Sequence, residues 1–258
     1  MITIKSAEEI QIMREAGKIV AAVFAAIEPL LQPGISTARI DMLAEEVIRD
    51  HGAIPSFKGV PGVVPYPAAT CISINEEVVH GIPRTDRILR DGEIVSVDVG
   101  AKIHGMHGDA ARTWPIGDVS PELLMLIQAA EDCFWAGLEQ AKTGNRIGDI
   151  SAAVQTCAES RGYGVIRDLC GHGIGHNLHE EPNLPNYGKA GYGARLLSGM
   201  TLALEPMITL GGYRIRQKND GWTIVTADGK AAAHYENSFA ITDNGPLLLT
   251  VSDDELSV

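Results

Sequence analysis

The fold is indicated most clearly by one stretch of the chain, Ile94-Val-Ser-Val-Asp98-Val-Gly-Ala-Lys-Ile-His-Gly-Met-His-Gly-Asp109-Ala-Ala-Arg-Thr113. Apolar residues alternate with polar or small ones on both sides of a glycine-containing turn, a period of two that predicts a β-hairpin. Folding the stretch about the midpoint of Ile103 and His104 places Asp98 directly opposite Asp109, so the two carboxylates share a face. Like charges in that position are destabilising unless one is protonated, the face is solvated, or a cation lies between them. We take the bound cation as the working hypothesis.

Composition is typical of an enzyme-sized globular protein. The chain has 258 residues, 45% hydrophobic and 21% charged, which suffices for a large core. Its formal net charge of −12 argues against a nucleic-acid backbone as partner, and no run of Lys or Arg offers an exception. The four cysteines form no CxxC pair, which favours a reducing compartment. The sequence shows no signal peptide and no bilayer-spanning stretch, so we expect a cytoplasmic protein without a membrane partner.

The order of predicted elements repeats along the chain. The first half contains a long helix from a capping box at Ser6-Ala-Glu-Glu9 to Leu31, a Pro-Gly break, a helix over 37–50, a Gly/Pro-rich loop and then strands. The second half contains a helix from Pro121 to about Lys142, a Thr-Gly break, a helix over about 147–161 and then strands.

Several positions of the two halves also match at one constant offset of 110 residues, namely Gly34 and Gly144, Ile40 and Ile150, Ala44 and Val154, and Gly52 and Gly162. Two halves related by a pseudo-twofold axis would place two strand sets side by side under helices, an α+β architecture. We therefore expect a single domain over residues 1–258, with internal halves of about 6–116 and 120–243. The acidic hairpin of the first half should then have a counterpart in the second.

The second half does contain apolar segments that are each interrupted by one carboxylate. Glu205 lies within the predicted strand 201–210, and Glu236 lies within the predicted strand 231–241. A lone buried charge costs free energy unless it is paired or bound to a metal. Either glutamate alone could lie on a solvated face, but four acids on predicted strands favour a common site.

A glycine-rich loop supplies a fifth candidate. The segment Cys170-Gly-His172-Gly-Ile-Gly-His-Asn-Leu-His179-Glu carries three histidines within eight positions, and its glycines let the backbone approach a ligand closely. Four carboxylates and one neutral imidazole match two divalent cations, and such ligands suit Mn, Fe(II), Co or Zn. Two such metals typically share a water acidified enough to attack a carbonyl. The residues alone thus predict a dinuclear metallohydrolase.

Together these residues resemble the methionine aminopeptidases, a metallopeptidase family with the pita-bread fold. The resemblance covers nearly the whole chain, from Ser6 to about Ile241. The matching motifs are Ser73-Ile-Asn-Glu-Glu-Val-Val-His-Gly-Ile-Pro83, Ser96-Val-Asp-Val-Gly100, His107-Gly-Asp-Ala110, Gly171-His-Gly-Ile-Gly175, His179-Glu-Glu-Pro182, Leu204-Glu-Pro-Met207 and Gly221-Trp-Thr-Ile-Val-Thr226 leading to Glu236. Only 33 positions separate His172 from Glu205, which leaves no room for the helical insert of the type II enzymes. The short start before Ser6 lacks the Cys/His-rich extension of eukaryotic type I forms, so the chain is most similar to bacterial-style type I enzymes.

The resemblance implies a role for each candidate ligand. Asp98 would chelate one metal, while Asp109 and Glu236 would bridge both. His172 and Glu205 would complete the second metal site. Glu205 would also take a proton from the bridging water and pass it to the leaving amine.

The resemblance also implies how substrate is held. His80 and His179 would contact the scissile amide or the developing oxyanion, and Tyr66, Cys71 and Trp222 would line the pocket for a methionine side chain. The implied reaction is removal of the initiator methionine from nascent chains with a small second residue. The expected partners are therefore nascent peptide N-termini, with ribosome association and a monomeric state as further expectations.

Some positions depart from the family pattern, and all of them concern the shape of the methionine pocket. The loop from Phe57 to Pro67 is about two residues longer than usual, and Val63 or Val64 stands near a position that is usually aromatic. Leu178 replaces an aromatic residue, and Asn237 stands where a histidine often follows the second strand glutamate.

Three rival interpretations fit parts of the sequence. Aminopeptidase P and prolidase share the fold and cleave bonds to proline, although they usually carry a large N-terminal domain that is not seen here. A catalytically inactive pita-bread protein could serve as a binding module, although such proteins lose ligands and this chain keeps all five. Cys71 and His80 could form a thiol nucleophile pair, but nothing suggests a third orienting group.

Overall fold

Helices and antiparallel sheets make up the computed structural model, which describes residues 1–254. This is the α+β class predicted from the sequence. The helices are α1 (Ala7–Ile27), α2 (Thr37–Asp50), α3 (Pro121–Leu138) and α4 (Ile147–Glu159), with a 3₁₀ turn over Glu28–Leu30. The strands are β1 (Ile54–Pro55), β2 (Thr70–Ile74), β3 (Glu77–Val79), β4 (Ile94–Ile103), β5 (Met106–Pro115), β6 (Gly164–Val165), β7 (Cys170–Gly173), β8 (Glu180–Pro185), β9 (Thr201–Leu204), β10 (Met207–Thr209), β11 (Ile215–Gln217), β12 (Ile224–Thr226), β13 (Ala232–His234), β14 (Asn237–Thr242) and β15 (Gly245–Leu248).

The helix starts follow the sequence signals more closely than the helix ends. The Ser6 capping box is present, since Glu9 N–H donates to Ser6 Oγ and the Glu9 carboxylate accepts from Ser6 N–H. Helix α1 ends at Ile27 rather than at Leu31, because Pro29 lacks the N–H that would continue the α-helical pattern. Helices α3 and α4 also end earlier than predicted, each closing in tight turns. Within residues 1–254, no helix combines the length and apolarity that crossing a membrane requires.

Each half has its own core. Helices α1 and α2 pack on β2, β4 and β5 in one apolar cluster, and α3 and α4 pack on the strands of the second half in another. The turns that precede α2 and α4 are alike, because Gly34 and Gly144 both have φ of +97° and each N–H donates to the carbonyl of a leucine, Leu89 or Leu196. These matching turns support the proposal that the two halves are related.

Four sheets connect these cores. Strand β4 pairs with β5 along one edge and with β1 and β2 along the other. A five-stranded sheet has the order β15-β14-β9-β7-β8, and two three-stranded sheets have the orders β13-β10-β6 and β11-β12-β3. The last of these joins β3 of the first half to the second half of the chain.

The β4–β5 hairpin is present, but its predicted register is wrong. The turn is centred on His104 and Gly105, which both have positive φ, rather than between Ile103 and His104. Asp98 therefore lies opposite Ala111, and Asp109 lies opposite Gly100. Two-residue turns with φ > 0 at both positions match the twist of a hairpin, and the glycine suits the second of them. The aspartates are diagonal rather than opposite neighbours, but they still share a face because the error spans an even number of positions.

The two halves are joined along β5. Ala111 and Glu236 exchange backbone hydrogen bonds of 3.3 and 2.9 Å. The buried Ser238 hydroxyl accepts from Asp109 N–H at 3.1 Å and donates to Asp109 C=O at 2.8 Å. These contacts bring an acidic segment of the second half beside the acidic hairpin of the first.

Replacing Ser238 with alanine should test this junction. The Ser238→Ala change leaves a buried N–H and a buried C=O of Asp109 without that partner, and each such loss costs about 1–3 kcal/mol. We expect the free energy of unfolding, measured in urea, to fall by about 2–4 kcal/mol. The exposed Ser160, whose hydroxyl bonds to Cys157 C=O, is the control, and its alanine variant should change stability by less than about 0.5 kcal/mol. Equal effects of the two variants would contradict the assigned role of the junction.

Candidate metal centre and substrate pocket

The five predicted ligand residues converge on one pocket although they come from distant parts of the chain. Asp98 and Asp109 lie on the neighbouring strands β4 and β5, and His172 lies on β7. Glu205 follows β9 and Glu236 precedes β14. All five side chains line the same cavity, which encloses about 530 Å³ including its open mouth.

The two glutamates do not lie within strands, which corrects the prediction for both. Glu205 and Pro206 form a break between β9 and β10, and Tyr235 and Glu236 form a break between β13 and β14. The breaks are neighbours, because β9 pairs with β14, β10 pairs with β13, and Tyr235 N–H donates to Pro206 C=O. Proline cannot donate to a ladder, so the interruption at Pro206 has a direct cause. Both carboxylates enter the cavity where the sheet pairing is interrupted.

A backbone contact shows which ring nitrogen of His172 carries the proton. Its Nδ1 lies 2.8 Å from Gly173 C=O, and a carbonyl can only accept, so Nδ1 carries the proton. The lone pair of Nε2 is then free towards the acids, with Asp109 Oδ2 at 4.0 Å and Glu205 Oε1 at 3.6 Å. This is the orientation of a metal-ligating imidazole held by a backbone carbonyl.

The acids of the cluster repel one another in a buried site. Burial, and then the charge of Asp109, raises the pKa of Glu205, Glu236 and Asp98 well above the ordinary range. Burial raises the pKa of Asp109 to about 7. Such shifts mean that the ionised forms are unstable here without a compensating positive charge.

Unpartnered atoms give an independent test of whether cations fit. Among buried side-chain nitrogens and oxygens of residues 1–254, six have no hydrogen-bond partner. Four of the six lie in this cluster: Asp98 Oδ1, Asp109 Oδ1, Glu236 Oε1 and His234 Nε2. Buried polar atoms are rarely left unpaired, and oxygen and imidazole donors are the ligands of divalent transition metals. The residues present therefore fit a metal centre.

Sequence reasoning missed His234. Its ligand atom lies within 4.8 Å of those of Asp98 and Glu236, and a second group of three is formed by Asp109, His172 and Glu236. The signal was available, because a residue two positions before Glu236 in an extended segment lies on the same face. Burial lowers the pKa of His234 to about 3, so its imidazole is neutral.

His80 and His179 lie in the same pocket as the acids. The ring of His179 is 4.4 Å from that of His172, and the ring of His80 is 6.2 Å from that of Trp222. Burial lowers the pKa of His80 to about 4, with a further contribution from His179, and burial also lowers the pKa of His179. His80 has φ of +59°, an unfavourable conformation that tends to persist at functional sites.

The other wall of the pocket is apolar. Tyr66 and Trp222 are in edge-to-face contact at 5.1 Å, and Cys71 and Leu178 are buried beside the same cavity. The Tyr66 hydroxyl lies 2.9 Å from Gly81 C=O, which fixes the ring. Tyr66, Cys71 and Trp222 thus all line this cavity, and their contact with a methionine side chain stays a prediction.

The positions that depart from the family pattern divide between the pocket and its surroundings. Val63 and Val64 are exposed and do not line the cavity. However, Val64 C=O accepts a hydrogen bond of 2.7 Å from the Trp222 indole, so the long loop helps to hold Trp222 in place. Asn237 is also outside the cavity, because its side chain bonds to Arg112 and Thr250.

Cys71 is a neutral thiol. It is 4% exposed, and burial, followed by the charge of Asp98, raises its pKa well above the ordinary value. A nucleophilic cysteine needs a lowered pKa, so the environment argues against a thiol pair of Cys71 and His80.

Comparisons with known proteins show the family of the chain. The family model described as metallopeptidase family M24 matches residues 11–243. The chain belongs to this family. It is accordingly a hydrolase of the metallopeptidase class.

Several relatives with high sequence identity are named methionine aminopeptidases. One from Clostridium acetobutylicum is 51% identical over 98% of this chain and 100% of its own length. A crystal structure of a methionine aminopeptidase from Thermotoga maritima has a TM-score of 0.95 and 43% identity, and the match covers 98% of this chain and 100% of that one. These matches confirm the resemblance to bacterial methionine aminopeptidases and the pita-bread fold.

A more distant solved structure shares the fold. An Xaa-Pro dipeptidase from Bacillus anthracis has a TM-score of 0.78 and 24% identity, covering 96% of this chain and 62% of that one. At that identity the similarity shows the fold alone.

The raised carboxyl pKa values predict how stability depends on pH. A carboxyl group whose pKa is higher in the folded state binds protons on folding, so its stabilising contribution is lost as pH rises through the folded pKa. For Asp109 that window lies between about 4 and about 7. Metal-free protein should therefore lose stability relative to the Asp109→Asn variant between about pH 4 and 7, by about 1.4 kcal/mol per pH unit for the proton that Asp109 binds.

Urea unfolding in EDTA measures this difference, and the variant serves as control because the histidines titrate in both proteins. Added Mn(II) or Co(II) should stabilise the wild-type protein more at pH 8 than at pH 6, since metals bind deprotonated carboxylates. Parallel pH profiles of the two metal-free proteins would contradict the raised pKa of Asp109.

A substitution at Cys71 separates pocket lining from nucleophilic catalysis. Because the thiol is a neutral part of the pocket wall, Cys71→Ser should raise KM several-fold and change kcat by less than about tenfold. Steady-state kinetics with a methionyl peptide give both constants. Cys133→Ser is the matched control, since Cys133 is buried in α3 away from the pocket and should leave KM unchanged. Complete loss of turnover in folded Cys71→Ser would favour the thiol mechanism instead.

Proposed function

We propose that this chain is a methionine aminopeptidase that removes the initiator methionine from nascent proteins with a small second residue. One observation carries the proposal. A cluster of acids with unpartnered buried oxygens lies at one side of a cavity whose other side is apolar and of the size of small-molecule sites. An apolar side chain bound against that wall would bring its own backbone amide towards the acids.

The metal centre would be held by Asp98, Asp109, His172, Glu205 and Glu236. Two divalent cations bound there would offset the charge of the four carboxylates, polarise the scissile carbonyl and acidify a water. Donors of mainly oxygen with imidazole suit Co, Mn, Fe(II) or Zn.

Glu205 is the residue best placed to move a proton. It is less enclosed than Glu236, with 14% of its side chain exposed against 3%, and it lies at the boundary between the acids and the open part of the pocket. Its carboxylate would accept a proton from the attacking water and deliver it to the departing amine nitrogen. Its position 3.6 Å from His172 keeps it within the cluster.

His80 and His179 would position the peptide. Both imidazoles have lowered pKa values and are neutral at pH 7, so each can donate one N–H to a carbonyl oxygen without bringing a net charge. Such donors contribute most when negative charge develops on that oxygen. His179 is the more exposed of the two, which suits contact with the peptide beyond the methionine.

The expected cellular setting follows from the substrate. We place the protein in the cytoplasm, where nascent chains are made, and its four free cysteines are compatible with a reducing compartment. We retain a monomeric state and association with the ribosome as expectations. Light scattering and co-sedimentation with ribosomes measure these two properties directly.

A peptide panel tests the proposed activity. Protein that has been freed of metal with EDTA and then given Co(II) or Mn(II) should release methionine from Met-Ala-Ser and should not cleave Xaa-Pro peptides. Metal-free protein should be inactive. Cleavage of only the proline peptides would assign the chain to the prolidase type, and absence of cleavage with tight peptide binding would indicate a binding module.

Replacing Glu205 tests its proposed role. Glu205→Gln keeps the size of the side chain but removes the proton acceptor, and general acid–base catalysis contributes about 10²–10⁴-fold. We expect kcat on Met-Ala-Ser to fall within that range, with an altered pH profile. Glu15→Gln, an exposed substitution on α1, is the control and should leave kcat unchanged. A metal-loaded Glu205→Gln variant with full turnover would remove this residue from the mechanism.

A further inference from the structure

An imidazole outside the five proposed ligands lies against the metal centre. His234 is 2% exposed, and its Nε2 has no hydrogen-bond partner. That nitrogen lies 3.5 Å from Glu236 Oε2, and a ring nitrogen of His234 lies within 4.8 Å of a carboxylate oxygen of Asp98. Leaving a buried polar nitrogen unpaired is unfavourable, so its position calls for a partner.

The position of His234 is fixed by both halves of the chain. Its N–H donates to Thr113 Oγ1 at 3.0 Å, and its C=O accepts from the same hydroxyl at 2.8 Å. It also pairs with Met207 across the β10–β13 ladder. Since Thr113 belongs to β5 and Met207 to β10, two strands hold the backbone of His234 beside the acids.

The distances suit coordination to one ion. Ligand atoms at about 2.0–2.2 Å from a common metal lie roughly 3–4.4 Å apart. The 3.5 Å separation of His234 Nε2 and Glu236 Oε2 falls in that range. The ligand atoms of Asp98, His234 and Glu236 all lie within 4.8 Å of one another, so they need to move only slightly closer to bind one ion.

We propose that His234 is a sixth ligand of the centre, supplying an imidazole nitrogen to the metal that Asp98 also holds. The inference rests on the proposed dinuclear site. Each metal would then have one imidazole, His234 on the Asp98 side and His172 on the other, with Glu236 common to both groups. Because the added ligand is neutral, four carboxylates still match two dications.

The added nitrogen has a consequence for metal selection. Imidazole suits Zn, Cu, Fe and Ni, whereas carboxylate and water suit Mg, Ca and Mn. The metal site on the Asp98 side should therefore favour Co(II) or Zn(II) over Mn(II) more strongly than an all-oxygen site would. The discrimination should decrease when His234 is replaced.

Paramagnetic NMR of the Co(II) protein counts the imidazole ligands directly. Two sets of strongly shifted imidazole ring protons are expected in the wild-type protein with two equivalents of Co(II), and one set is expected in His234→Gln. A single set in the wild-type protein would overturn the proposal. This measurement needs no variant, so it decides the question even if His234→Gln does not fold.

Calorimetric titrations provide the second measurement. His234→Gln should weaken binding of one Co(II) by about 10- to 100-fold, the size of effect seen when support of a metal site is removed, and weaken Mn(II) less. His107→Gln is the matched control, because His107 is also buried but its Nδ1 bonds to Ser56 Oγ at 2.9 Å, and its metal affinities should match the wild type.

The two proposals fail in different ways. If the wild-type protein binds no Co(II), the proposed function fails, together with every inference about its ligands. If the wild-type protein binds two equivalents and His234→Gln binds them with unchanged affinity, only the sixth ligand is excluded. Equal losses in His234→Gln and His107→Gln would also overturn the proposal, since they would indicate a general effect of removing buried imidazole.

Discussion

The mutual repulsion of four buried carboxyl groups is the constraint on which this structure depends. Burial raises the pKa of every acid in the centre, and their charges act on one another. A fold that confines them in one cavity is therefore stable at neutral pH only with protons or cations among them. This repulsion gives the centre a physical reason to bind cations.

Backbone contacts around Asp109 and Glu236 hold the acids in place against this repulsion. Ala111 and Glu236 exchange backbone bonds, and Ser238 satisfies both polar groups of the Asp109 peptide. Each half of the chain thus fixes an acid of the other. Neither half could assemble the centre alone, so metal binding should couple the two cores rather than stabilise only one of them.

The sequence predicted the composition of the site better than its local geometry. The period of two assigned Asp98 and Asp109 to one face of the hairpin. That assignment was correct despite the wrong register, because the register was shifted by an even number of residues. The turn itself could not be placed, since a histidine at positive φ is unusual and only its glycine neighbour gave a signal. The predicted helix ends were wrong for a similar reason. Competing i→i+3 hydrogen bonds decide where a helix ends, and the periodicity of apolar residues does not reveal them.

The breaks at Glu205 and Glu236 show the other limit of pattern reasoning. An apolar segment with one carboxylate reads as a continuous strand, yet each glutamate interrupts its strand. Only the pairing of the two segments brings the interruptions side by side, and pairing is a tertiary property. His234 was overlooked because a histidine next to alanines carries no motif. Its significance depends on the convergence of Asp98 from the other half of the chain.

Strand pairing also links the chemistry to the recognition of substrate. Cys71 on β2 lies directly opposite Asp98 on β4, so the apolar wall and the metal centre are one strand spacing apart, about 4.8 Å. Tyr66 lies against the same wall through its contact with Trp222. A side chain bound at this wall is positioned relative to the acids by the hydrogen bonds of a sheet rather than by a flexible loop. Changes in the pocket should therefore alter turnover as well as affinity when they shift the backbone of β2, and affinity alone when they do not.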